Sequence, residues 1–188
     1  MQWITAQRVS PKTGERECGD AVLVRREGEA ALLAVVDGLG HGKLAAQAAS
    51  AACESLARWP LSDDLTAAMR GVHEALRGTR GAAAGVCLVR PGALLCCGVG
   101  NVEIRCIGVK APILLSPGVL GARVQNFRIC RAALPSDVRL VLFSDGISYR
   151  AQLDALRHLE PESFCDALMR DYRKTDDDAS VLVCDSKA

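Results

Sequence analysis

The sequence has almost no net charge and no long apolar segment. Its 188 residues include 23 lysines and arginines against 22 aspartates and glutamates, which gives a formal net charge of +1 at pH 7. Nucleic acids and anionic membrane surfaces attract clustered basic charge, and this balance argues against both. No stretch approaches the roughly 20 apolar residues of a membrane span, and the first residues lack the apolar region of a signal peptide. We therefore expect a soluble protein that binds neither nucleic acid nor membrane.

The nine cysteines lack the spacing of a zinc site. No C-x-x-C pair occurs, and no histidine joins a cysteine at zinc-finger spacing. Their number is odd, and most of them lie inside apolar runs such as 86–89, where a free cysteine behaves as a small core residue. This usage is typical of a reducing compartment, so we expect a cytoplasmic protein.

Several common catalytic motifs are also absent. Segment 38–43 has glycines at alternate positions, but a phosphate loop needs four residues between its first glycine and Gly-Lys, followed by serine or threonine. The dinucleotide pattern G-x-G-x-x-G and the nucleophile pattern G-x-S-x-G do not fit either. The sequence therefore gives no support to nucleotide binding or to a serine nucleophile.

The pattern of apolar residues predicts a mixture of strands and helices. Strands are predicted at 21–26, 30–36, 83–90, 93–99, 102–107, 112–115, 127–131, 138–143 and 179–184, and helices at 43–58, 64–77 and 161–173. Strands that follow each other through tight turns are largely antiparallel, and helices can cover the outer faces of sheets. We expect an α+β fold, a four-layer α-β-β-α sandwich with two stacked, largely antiparallel sheets.

Three aspartates stand at the ends of apolar runs. Asp37 closes the run 31–36, Asp145 follows 140–144, and Asp177 stands just before 179–184. Because strands bring their terminal side chains to a shared edge, these carboxylates could converge there, and such a cluster of oxygen ligands suits Mg²⁺ or Mn²⁺. Each motif alone has a simpler explanation, since Asp-Gly is a common hairpin turn and a run of aspartates is often a solvated corner.

Taken together, several short segments resemble one known family. They are Gly19-Asp20, Asp37-Gly38-Leu39-Gly40-His41-Gly42, Ser144-Asp145-Gly146 and Asp177-Asp178-Ala179-Ser180, with 98–103 and 118–121 in addition. In this order they resemble the metal-dependent serine/threonine protein phosphatases (the PPM family) in the bacterial SpoIIE-like branch, most of all the small RsbX type of the stressosome. The resemblance extends from about residue 19 to 184. It implies a single phosphatase domain over 1–188 without a separate regulatory domain.

The resemblance also implies a site with two divalent ions, Mn²⁺ or Mg²⁺. Asp37 would bridge the two ions, and the backbone carbonyl of Gly38 would bind one of them. Asp145 and Asp177 would hold the other ion, and Asp20 would lie nearby as a ligand or in support of one. Two such ions acidify a bridging water, which would attack the phosphorus of phosphoserine or phosphothreonine in line.

Two further residues have candidate roles in proton transfer and phosphate binding. The eukaryotic branch has a histidine directly after its Asp-Gly as a proposed general acid, whereas this sequence has Leu39 there and His41 two residues later. His41 is therefore the candidate acid. Arg16 is, by position only, the candidate for the upstream arginine that binds phosphate in that branch.

The implied substrates are phosphorylated STAS-domain proteins of the stressosome, of the RsbR and RsbS kind, whose dephosphorylation would reset a stress-signalling pathway. Three alternatives stay open. The protein could act on a free anti-anti-sigma factor, as the RsbU and SpoIIE types do, or it could bind phosphoproteins without catalysis on the same fold. It could also be a generic α+β domain with acidic turns. The complete set of Asp37, Asp145 and Asp177 favours an enzyme.

Overall fold

The computed structural model describes residues 1–187, which form eleven strands, three α-helices and one short 3₁₀ helix. The strands are β1 (Gln2–Ser10), β2 (Asp20–Glu27), β3 (Ala30–Gly38), β4 (Ala82–Arg90), β5 (Gly92–Val99), β6 (Glu103–Ile107), β7 (Gly118–Val119), β8 (Arg123–Val124), β9 (Cys130–Leu134), β10 (Arg139–Phe143) and β11 (Ala179–Lys187). The helices are α1 (Lys43–Arg58), α2 (Leu65–Ala75), the 3₁₀ helix (Leu153–Leu156) and α3 (Pro161–Tyr172).

Two antiparallel sheets stack on each other and carry helices on their outer faces. The first sheet has the strand order β1-β11-β10-β6, and the second has the order β2-β3-β4-β5-β9. Helix α3 packs on the first sheet, whereas α1 and α2 pack on the second. A cluster of buried side chains fills the space between the sheets. The prediction of a four-layer α-β-β-α sandwich is confirmed.

Strand β3 illustrates how the sequence builds these layers. Its residues are buried on both faces, because α1 covers one face and the first sheet covers the other. Successive strand residues point to opposite faces, so the apolar run is divided between two cores. The helix-side core receives Leu32, Ala34 and Val36, and the core between the sheets receives Ala31, Leu33 and Val35.

The two central helices form where their apolar periodicity predicts them. Helix α1 has the predicted bounds, and helix α2 begins after Asp64, whose side chain accepts a hydrogen bond from the backbone N–H of Ala67 at 3.0 Å. This contact satisfies one of the free N–H groups at the start of the helix. Ala48, Ala52 and Leu56 recur every fourth position on α1 and are buried, whereas Leu44 at the same spacing is 52% exposed.

Several parts of the chain depart from the predicted strands. Residues 112–115 form no strand, and the strand predicted at 127–131 lies at 130–134. The strands predicted at 93–99 and 102–107 are joined by a short turn at 100–101 but do not pair with each other, because β5 belongs to the second sheet and β6 to the first. Strands β1, β7 and β8 have no counterpart in the prediction. Among helices in the described residues, none is long and apolar enough to cross a bilayer.

A buried ion pair within the first sheet packs against helix α3. Arg139 donates from Nε and Nη2 to the two carboxylate oxygens of Asp185, both at 2.7 Å, and its guanidinium lies 4.8 Å from the ring centre of Phe164. We expect Asp185→Ala to lower the free energy of unfolding by about 3 kcal/mol, because it leaves the buried charge of Arg139 unpaired. Urea unfolding measures this change.

The exposed pair of Arg90 and Asp63 serves as the control. Its atoms approach to 2.6 Å, but the Asp63 side chain is largely exposed, so Asp63→Ala should change the free energy of unfolding by less than about 1 kcal/mol. Equal effects of the two substitutions would show that burial of the Arg139 pair does not decide its contribution.

Candidate metal centre

Carboxylates from both sheets meet at one rim of the sandwich. Asp37 lies near the end of β3, directly opposite Asp20 on the paired strand β2. Asp145 follows β10 and Asp177 precedes β11, which are neighbours in the other sheet. A cleft of about 230 Å³ opens at this rim. It is lined by Asp37, Leu39, Gly40, His41, Asn101, Asp145 and Asp177. The structure thus brings together the three aspartates and the histidine that the sequence singled out.

Asp20 lies beneath the cleft instead of lining it. It is 6% exposed, and its Oδ2 accepts hydrogen bonds from the hydroxyls of Ser144 at 2.5 Å and Ser180 at 2.7 Å. Ser144 Oγ also accepts the backbone N–H of Ser180 at 2.9 Å. Ser180 lies in β11 of the first sheet, Ser144 directly follows β10, and Asp20 begins β2 of the second sheet, so these contacts fix the two sheet edges relative to each other.

Gly38 occupies a position with no room for a side chain. A Cβ atom there would collide with the backbone carbonyl of Ala45 in the first turn of α1 and would lie 2.9 Å from the carbonyl oxygen of Gly19. The N–H of Gly38 donates to that Gly19 oxygen at 3.0 Å. This packing holds the backbone beside Asp37, although Gly38 is not among the residues that line the cleft.

Asp178 turns away from the cleft towards the loop between β1 and β2. Its Oδ1 accepts the N–H of Lys12 at 2.9 Å, and its Oδ2 is buried without a hydrogen-bond partner in residues 1–187. The backbone carbonyl of Asp178 packs so closely on Gly146 that only glycine fits there. Asp178 therefore anchors the loop and the Asp145-Gly146 turn.

Two polar residues of the site were not identified from the sequence. Asn101 donates from Nδ2 to Oδ2 of Asp145 at 2.5 Å, and Glu15 Oε1 lies 2.7 Å from Nδ1 of His41. Segment 98–103 contributed to the family resemblance, and this was the available signal for Asn101. Nothing in the sequence pairs Glu15 with His41. Arg16, the candidate for phosphate binding from the sequence, is exposed and does not line the cleft.

The clustered carboxylates raise one another's pKa. The pKa of Asp37 rises to about 8, mainly through burial and then through the charges of Asp20, Asp145 and Asp177, and a hydrogen bond from Asn101 opposes the rise. Burial also raises the pKa of Asp20 to about 6, against the lowering effect of its two serine partners. The pKa of Asp177 is raised by burial and by Asp145.

This arrangement fits a divalent cation. The cleft offers carboxylate and amide oxygens, and no lysine or arginine is among its lining residues. Mg²⁺ and Mn²⁺ prefer such oxygen ligands, and Mg²⁺ keeps several waters in its coordination shell. In the part of the chain that the structure describes, no three His, Cys, Asp or Glu side chains lie together in a group that could hold a metal ion by itself. Backbone carbonyls and water would therefore complete the coordination.

Comparison with known proteins identifies the family. No family model matches the sequence. The chain is 27% identical over 143 residues to the phosphoserine phosphatase RsbX of Bacillus subtilis (strain 168), which covers 73% of this chain and 71% of that protein. It is 32% identical to a chain in a solved structure of the bacterial stressosome, a modular system that has been adapted to control secondary messenger signaling. That match covers 98% of this chain and 100% of the other, with a TM-score of 0.90. The chain belongs to the PPM-type metal-dependent phosphatases.

A further solved structure has the same fold. RsbX in complex with magnesium is 20% identical to this phosphatase, with a TM-score of 0.86 over 98% of this chain and 96% of the other. The interpretation of the sequence as a SpoIIE-like PPM phosphatase of the RsbX type is confirmed.

The charge cluster predicts a pH dependence of the metal-free phosphatase. The pKa of Asp37 rises from 3.8 to about 8 on folding, so between these values the folded protein holds a proton that the unfolded chain has released. The free energy of unfolding should therefore fall as the pH rises from about 5 to 8. Asp37→Asn removes this ionisation, and we expect a shallower fall in urea unfolding with a chelator present.

The matched control is Asp176→Asn, which removes an exposed carboxylate beside the site. It should retain the wild-type pH dependence. If Asp37→Asn and the wild type lost stability in parallel over this range, Asp37 would not be the group that titrates.

Proposed function

We propose that this phosphatase removes phosphate from phosphoserine or phosphothreonine on STAS-domain proteins of a stressosome and requires two divalent ions, Mn²⁺ or Mg²⁺. The observation that carries the proposal is the cleft that Asp37, Asp145 and Asp177 line together, with no lysine or arginine among the lining residues. A binding module without catalysis would have no need for this uncompensated charge. The nine free cysteines suit a cytoplasmic site of action, and we propose one catalytic domain over 1–188.

Each residue of the rim has a role in this proposal. Asp37, the Gly38 carbonyl, Asp145 and Asp177 would hold the ions, with Asp20 in support behind Asp37. When bound, two divalent ions neutralise phosphate charge and acidify the attacking water. Asn101 contributes orientation, because its amide donates to one oxygen of Asp145 and leaves the other oxygen for a cation.

His41 is the proposed proton donor to the departing serine or threonine oxygen. Its ring lines the cleft, and Glu15 engages Nδ1, so Nε2 is the ring nitrogen left to face the substrate. Glu15 would thereby fix the ring orientation, which positions a proton donor for general acid catalysis.

The proposed substrates rest on the relatives. One relative is a phosphoserine phosphatase, and another is a chain of a stressosome structure that is matched over its whole length. A phosphoserine on a folded scaffold can enter this site because the cleft is open to solvent at the rim and small enough to hold one phosphoryl group.

Asp177 and its exposed neighbour Asp176 provide a matched test of the proposed ligands. We expect Asp177→Asn to reduce phosphate release from a phosphorylated STAS protein by at least about 100-fold in saturating Mn²⁺, because a cation loses a charged ligand. Asp176→Asn should stay within about twofold of wild type, since that side chain is solvated.

Titration calorimetry with Mn²⁺ should show weakened binding for Asp177→Asn only. Equal losses in the two variants would support a solvated acidic corner instead of a ligand.

The choice of substrate distinguishes the proposal from its alternatives. We expect kcat/KM to be at least about tenfold higher on phosphorylated RsbR- or RsbS-type scaffold than on a phosphorylated free anti-anti-sigma factor, a difference that corresponds to about 1.4 kcal/mol. The reverse order would assign the protein to the RsbU or SpoIIE type. Binding of both phosphoproteins without any phosphate release would indicate a non-catalytic module.

A further inference from the structure

Arg80 lies against the backbone of the cleft. Its Nη1 atom is 2.7 Å from the position that a Cβ atom on Gly40 would take, and Gly40 is one of the residues that line the cleft. Gly40 also has a φ angle of +87°, which glycine adopts without strain. The backbone conformation therefore favours glycine here, and the space beside it is occupied by the flexible end of Arg80.

The charge of Arg80 has no partner within the described chain. Arg80 is exposed, and no carboxylate of residues 1–187 lies within 4.0 Å of its side-chain nitrogens. Arg77, one turn earlier, shows the contrast, because it is also exposed but pairs with Glu74 at 3.4 Å. The Arg80 guanidinium lies beside the cleft without a protein counterion, so it is available to bind an anionic ligand.

The backbone on both sides of Arg80 is fixed. Thr79 donates its hydroxyl to the carbonyl of Leu76 at 2.7 Å and accepts the N–H of Gly81 at 3.0 Å. The carbonyl of Gly81 in turn accepts the N–H of Leu39 at 3.0 Å. These hydrogen bonds hold the backbone of Arg80 in place relative to the segment that lines the cleft. The Arg80 side chain therefore extends from a fixed backbone position towards Gly40.

We propose that Arg80 binds the phosphoryl group of the substrate at the Gly40 edge of the cleft, an inference that rests on the proposed phosphatase function. The residues that line the cleft include no lysine or arginine, so an arginine that binds the phosphoryl oxygens beside the ions would have to lie next to the lining, as Arg80 does. A guanidinium matches phosphate because it offers parallel N–H donors in one plane. Arg80 thus takes the role for which the sequence suggested Arg16.

The test compares Arg80→Ala and Arg80→Lys with the control Arg77→Ala, which removes the same charge from an exposed arginine three residues away. Each variant is assayed in saturating Mn²⁺ on p-nitrophenyl phosphate and on phosphorylated STAS protein. Inorganic phosphate is used as a competitive inhibitor. We expect Arg80→Ala to lower kcat/KM about 10- to 100-fold on both substrates and to raise the inhibition constant for phosphate to a similar extent. Arg80→Lys should lose less, and Arg77→Ala should stay within about twofold of wild type.

Other outcomes would overturn the proposal. A loss confined to the phosphoprotein, with unchanged inhibition by phosphate, would mean that Arg80 contacts the substrate protein and not its phosphoryl group. No loss on either substrate would remove Arg80 from binding altogether. Thermal unfolding and Mn²⁺ titration of Arg80→Ala should match the wild type, because this side chain is exposed and forms no ion pair within residues 1–187.

A separate measurement keeps this inference distinguishable from the proposed function. Binding of inorganic phosphate to the Mn²⁺-loaded protein is measured by calorimetry, which needs no turnover. Weaker phosphate binding by Arg80→Ala supports the inference even if the wild type releases no phosphate from any substrate. Unchanged phosphate binding contradicts it even if the wild type is an active phosphatase.

Discussion

The site depends on one buried carboxylate that joins the two sheets. Asp20 belongs to the second sheet, whereas its partner Ser180 belongs to the first and its partner Ser144 directly follows a strand of the first. A buried carboxylate is unfavourable unless hydrogen bonds replace its water, so the two hydroxyls stabilise Asp20 in this position. This requirement sets the relative position of the rims that carry Asp37 on one side and Asp145 on the other. Apolar packing between the sheets alone would tolerate a slide that these directional bonds resist.

The remaining carboxylates lie close together at the rim, and their mutual repulsion lowers the stability of the folded protein. Burial and mutual repulsion raise the pKa of Asp37 and of Asp177, and a rim designed for stability alone would separate or neutralise them. Functional sites typically contain residues that lower the stability of the fold. Here a divalent cation would relieve the repulsion, so metal binding and folding are expected to support each other.

Features that depend on local periodicity were predictable from the sequence, whereas features that depend on distant contacts were not. Helix α1 and the strands that end at Asp37 and Asp145 follow from apolar spacing. Strand β1 is an edge strand of mixed polarity that pairs with the opposite end of the chain, so no local pattern marks it. Residues 112–115 are apolar without forming a strand: Ile113 and Leu115 pack against the core between the sheets, whereas Leu114 is 61% exposed. Glu15 and Arg80 have roles that only the folded loops create.

The donors that hold the carboxylates are neutral, and this choice of residues has a chemical consequence. Asn101 reaches Asp145 because the chain crosses from one sheet to the other at this turn, and serine hydroxyls hold Asp20. A lysine or arginine at the position of Asn101 would satisfy Asp145 more strongly, but its charge would compete with a metal ion for the same oxygens. Amide and hydroxyl donors orient the carboxylates and leave their charge available. The cation Arg80 lies outside this group, against Gly40, where it can meet a phosphate without neutralising the metal ligands.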